Sequence, residues 1–155
     1  MRPLEGRTLV AYWLIGCGIV AMVRLVARAP ALLDNPAGWT AAAGPAIAIL
    51  LGLVAAAQLL RSDRGFLLAA AVLSAEAVGL SVGPLAYRLD VGPFLHLSAV
   101  SAHLGLRLGY GAHLLLIVGE GNRVPEGIAL NLFAVAILCV LAGSSTAAGP
   151  RRVRR

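Results

Sequence analysis

A chain of 155 residues has room for one compact domain. Hydrophobic residues make up 59%, charged residues only 13%, and mean hydropathy is +0.87, so water is not its principal solvent. The net charge of +6 is spread thinly over the chain, with a single cluster at Arg151, Arg152, Arg154 and Arg155. That pattern excludes a nucleic-acid surface and suits a short basic tail, 149–155, lying near anionic lipid.

Five apolar runs approach the roughly 20 residues that a helix needs to cross a bilayer. The first, 8–26, ends in Ala27-Arg28-Ala29, shaped like a signal cleavage site. Pro30 follows directly and would block the peptidase, and the run is longer than a signal core, so it reads as a retained helix. Arg24 at its end can snorkel to the headgroups. Asp34-Asn35-Pro36 marks a turn, and Trp39 suits the interface.

The second run, 41–60, carries Ala48, Gly52 and Ala56 at the spacing that lets helices approach closely. Arg61-Ser62-Asp63-Arg64-Gly65 closes it. The third run, 66–86, holds Glu76 near its middle and repeats the small-residue spacing at Gly79 and Gly83. Arg88-Leu89-Asp90-Val91-Gly92-Pro93 reads as the next loop.

The fourth run, 94–118, contains all three histidines and Gly105-xxx-Gly109. The fifth, 124–142, is interrupted by Pro125, Glu126 and Asn131, which leaves four spans as the alternative to five. Gln58 and Asn131 are candidates for hydrogen bonds between helices. Cys17 and Cys139 lack CxxC or histidine neighbours and read as buried apolar residues.

The fold expected from these runs is an all-α bundle of five transmembrane helices occupying 1–148, in the cell membrane. The arginine count places the C-terminus in the cytoplasm by a slight excess. Nothing in the runs reads as the alternating strands of an outer-membrane barrel.

Chemistry is expected on the fourth helix. At about 100° per residue, His96, His103, Arg107 and Tyr110 share one face, with His113 about 80° away from His103. Glu76 and Arg107 lie at matching depth, which favours a buried ion pair fixing helix register, or a proton relay of Glu76, His103, Arg107 and Tyr110. His96, His103 or His113 could serve as axial ligand to a haem or other tetrapyrrole, with Ser98, Ser101, Ala102 and Gly105 leaving space.

No HExxH, GxSxG, P-loop or paired-carboxylate motif argues for an enzyme. The favoured function is an accessory, assembly or scaffolding subunit of a membrane complex. The alternatives are a haem- or pigment-binding subunit of an electron-transfer complex and an oligomeric proton-coupled transporter or channel. The expected partners are the lipid bilayer and a membrane protein or a second copy.

Overall fold

A computed structural model describes residues 3–33, 36–100, 103–118 and 126–146. In chain order these form α1 (Pro3–Leu33), α2 (Pro36–Arg61), α3 (Arg64–Ala77), β1 (Val78–Val82), β2 (Leu85–Val100), β3 (His103–Val118), β4 (Gly127–Asn131) and α4 (Leu132–Thr146). The five-helix bundle is therefore corrected to a mixed α/β fold, four helices with a four-stranded antiparallel sheet. Among the described residues, only Gly6–Pro30 and Ala42–Arg61 are helices long and apolar enough to cross a membrane, each at mean hydropathy 2.1. The four-span alternative and the description as a multi-pass helical bundle fall with the same finding.

Each failed span has a local cause. The third run stays helical only to Ala77, the end of the 14-residue α3, then turns extended at Val78, whose φ of −125° and ψ of 123° begin β1. β-Branched Val78 and Val82 favour that geometry, and Pro84 disfavours helix at the residue before it. The fourth run is two strands. From 104 to 116, residues alternate Leu104, Leu106, Leu108, Tyr110, Ala112, Leu114 and Leu116 with glycine or polar residues over most of that length. A period of two reads as a strand with one apolar face. The fifth run divides between β4 and α4, and its residues 124 and 125 lie outside the described part, as does the basic tail.

The helices and the sheet form two storeys. In the first, Val10, Ala11 and Leu14 of α1, Ala55, Ala56 and Leu59 of α2, Ala69, Val72 and Leu73 of α3, and Leu141 of α4 make one buried core. Four of these ten are alanines, which lets the helix axes approach closely. Arg7 pins α1 to the α2–α3 turn, donating to the Asp63 carboxylate at 2.8 Å and to the Ser62 carbonyl at 2.9 Å. α3 rises only about 21 Å above that turn. Above it α1 and α2 continue and pack on the sheet, with Cys17, Ala48, Leu89 and Val91 as the second core.

The sheet nearly closes on itself. β3 pairs with β2 along its whole length, from Leu85↔Val118 to Val100↔His103. The other edge of β2 carries two short strands, β1 on residues 85–87 and β4 on residues 96–100, and β1 and β4 also pair with each other. β2 must bend for both ends to meet that pair, and it does so at Gly92, whose φ is +108°. A side chain there would be strained, and its Cβ would lie 2.5 Å from Cys17 Sγ. Gly83, at φ +53°, supplies the first central position of the β1–β2 turn, and the ring of Pro84 presets the second.

Glycines at two helical positions give a direct check on this packing. A Cβ at Gly65 would overlap the backbone carbonyl of Gln58, whereas one at Gly16 meets nothing within 4 Å. Gly65→Ala is expected to cost about 1–3 kcal/mol through forced backbone movement, while Gly16→Ala is neutral or stabilising by up to about 1 kcal/mol. Thermal unfolding of the two variants in detergent should show a lowered midpoint for the first only.

Candidate functional site

The two-sided pairing of β2 leaves a gap opposite residues 88–95, and that gap organises the polar groups. Four odd-numbered positions fall in it, and three of them show how the edge is answered. The Val91 amide donates to the Glu76 carboxyl. The Leu95 amide reaches Asn131 Oδ1 at 3.4 Å. Pro93, between them, has no amide to satisfy. Glu76, the penultimate residue of α3, is thus a plug for an interrupted sheet edge.

Glu76 is 5% exposed, and its Oε1 has no hydrogen-bond partner among the described residues. Burial, reinforced by the negative charge of Asp90, pushes its pKa up to about 8, against the opposing pull of the Val91 amide. At neutral pH it is mostly a neutral acid. Among the described residues it forms no salt bridge, and the structure does not bring Arg107 to it.

On one face of the β2–β3 hairpin lies a polar cluster built by alternation. Asp90, 1% exposed, accepts from Arg88 Nε at 2.6 Å and from His96 Nε2 at 2.8 Å. Arg88 Nη2 donates to His96 Nδ1 at 2.6 Å. A guanidinium has only donors, so Nδ1 holds the lone pair and the imidazole proton is on Nε2, directed at Asp90. Burial pushes the His96 pKa below its ordinary value, with the positive charges of Arg88 and Arg107 acting the same way and Asp90 opposing. His96 is held as one neutral tautomer with both nitrogens occupied.

Phe94 stacks on His96 at 4.5 Å between centroids and meets His113 edge-on at 6.5 Å. Its ring also covers Gly109, where a Cβ would overlap it. Burial lowers the His113 pKa as well. Arg107 pairs across the strands with His96, and it forms no ion pair among the described residues.

The four residues expected to form one relay are dispersed. On a strand, 107 and 110 point to opposite faces, whereas a helix would place them together. Tyr110 accordingly turns to the helices, donating to the Cys17 carbonyl at 2.9 Å, with the Arg24 guanidinium 4.8 Å above its ring. Arg24 also donates to the Tyr110 carbonyl at 3.1 Å. His103 sits exposed at the first position of β3. Of the three histidines, the structure brings together 96 and 113, through Phe94, and leaves 103 apart. Ser101 and Ala102 lie outside the described residues. No group of three His, Cys, Asp or Glu is placed to hold a metal ion among the described residues.

Sequence reading missed Arg88 and Asp90 as site residues because they looked like loop. Their signal was the same alternation, Arg88, Asp90, Phe94, His96 and Ser98 at even positions, which a helical period conceals. Beside this cluster lies a half-open cavity of about 250 Å³ lined by residues of all four strands. In comparisons with known proteins, no family model, no curated protein and no solved structure matches the chain.

Two measurements follow from this geometry. Asp90→Asn leaves Arg88 without its countercharge and should cost on the order of 2–3 kcal/mol in denaturant unfolding. The raised Glu76 pKa means that the folded state keeps a proton that the unfolded state releases. Its contribution is therefore fully present below about pH 4.5 and is lost as pH rises toward about 8, at no more than about 1.4 kcal/mol per pH unit. The depressed histidines act oppositely, losing stability as pH falls below their ordinary value of 6.5. Glu76→Gln should abolish the alkaline decline and leave only the acid limb, read as melting temperature across pH 5 to 8.5.

Proposed function

We propose that this chain is an accessory or scaffolding subunit of a membrane complex, anchored by α1 and α2 and joined to its partner along β3. The observation that carries the reading is the free edge of β3 beside two apolar helices. β3 ends the strand order and, among the described residues, pairs only with β2. Its residues 103–108 are all exposed, with Leu104 81%, Leu106 68% and Leu108 71% accessible.

The apolar helices support the anchor. Only about a third of each candidate span is buried inside the fold, and exposed Val20, Val23, Leu50 and Val54 cover the rest. A core helix of a water-soluble domain would be mostly buried. Two spans put the start of α1 and the α2–α3 turn on the same side, in keeping with the Arg7–Asp63 contact. Arg7, Arg61 and Arg64 gather there, which favours that side as cytoplasmic.

The sheet packs against α1 and α2 at Cys17 and Ala48, well inside both candidate spans. Unpaired backbone at that depth is tolerated only when protein or a water-filled cavity covers it. The edge of β3 over the exposed residues 103–108 therefore calls for a partner strand, from a second copy or another membrane protein. Such pairing would bury the leucine row as well.

The test uses native membranes. The protein should resist alkaline carbonate extraction, and in a Cys139→Ser background Leu106→Cys should crosslink to a partner, whereas Leu67→Cys on exposed α3 should not. Release by carbonate would remove the anchor. A Leu106→Cys protein that forms no adduct, with β3 amides exchanging freely in the membrane, would remove the partner.

A further inference from the structure

We infer that the half-open cavity lined by the four strands is a binding site for a phosphoryl oxyanion, with Arg107 and Arg88 as its ligands. The inference does not depend on a partner at β3. Arg107 lines the cavity from β3 and has every guanidinium donor uncommitted among the described residues. Arg88 lines it from β2 with Nε and Nη2 engaged, which leaves Nη1 available.

The surroundings select for an anion. Among the described residues no acidic one lines the cavity: Asp90 lies outside it and has both oxygens taken by Arg88 and His96. Arg88 and Asp90 compensate each other and His96 is neutral, so Arg107 leaves the site with net positive charge. Guanidinium donors reach the cavity from two different strands. A phosphoryl group offers several oxygens to such donors and is a favoured partner of arginine. Ser98 is spent as a donor on the Gly105 carbonyl at 3.3 Å and can only accept, so the anion's charge rests on the arginines.

The cavity is small, and most of its wall is apolar, Leu80, Val100, Leu115 and Ile128 included. A phosphate group with a short apolar attachment fits it, whether a soluble phosphate monoester or the headgroup end of an anionic lipid.

The experiment uses the full chain in detergent, titrated calorimetrically with inorganic phosphate, dihexanoyl phosphatidic acid and dihexanoyl phosphatidylcholine. Saturable binding of phosphate or of phosphatidic acid, weakened at least tenfold by Arg107→Gln and less by Arg107→Lys, is the expected result. Phosphate binding points to a soluble ligand; phosphatidic acid binding alone points to lipid. Arg64→Gln, at the opposite end, should bind as the parent does. Because Arg107 is exposed, the Gln variant should melt with the parent. Undiminished binding by a folded Arg107→Gln protein would overturn the assignment, as would saturation by phosphatidylcholine equal to that by phosphatidic acid, or no saturation with any of the three.

Discussion

The bend of β2 at Gly92 is the constraint from which the upper half of the molecule follows. A straight strand of 16 residues spans about 53 Å and could not offer its two ends to neighbours only five residues long that also pair with each other. With φ at +108° and the Cys17 side chain pressed against the missing Cβ, glycine is the residue that permits both the turn and the approach of α1. Closure of the strands, the cavity inside them and the gap on one edge all come from this bend.

The gap imposes its own chemistry. Backbone groups that lose a strand partner must find another, and Glu76, Asn131 and Pro93 each answer that need differently: an acceptor from a helix end, an acceptor from the neighbouring strand, and no donor at all. Glu76 is thereby placed where its charged form is disfavoured, close enough to Asp90 for the two carboxyls to influence one another. Asp90 remains compensated because Arg88 and His96 occupy it. The neutral acid on one side of β2 and the compensated carboxylate on the other are products of the same interrupted edge.

The two storeys divide the work between helix and sheet. Alanine-rich contacts hold four helices together at the end where Arg7, Asp63 and the α2–α3 turn meet, and this core needs no polar group. At the other end α1 and α2 stand against the apolar face of the hairpin, while its opposite face collects the arginines and histidines. The leucine row continues past the helices to the exposed part of β3. A surface of that kind, with free backbone groups along its edge, is a template for pairing.

The long apolar runs 8–26 and 41–60 announced α1 and α2 unaided, because a helix of that length satisfies its own backbone and needs only apolar composition. The alternation at 104–116 was equally present in the chain, yet it competes there with His96, His103, Arg107, Tyr110 and His113, spaced 7, 4, 3 and 3 apart, which a helical period also accommodates. Pairing decided between them. β2 supplies a partner at every residue of β3, and that partner lies in a stretch that reads locally as a loop of charges, glycine and proline. Which polar residues meet was likewise a tertiary outcome: Glu76 and Arg107 share a depth in any linear count, but the end of α3 delivers Glu76 to Val91, and strand alternation carries Arg107 to the other side of the sheet.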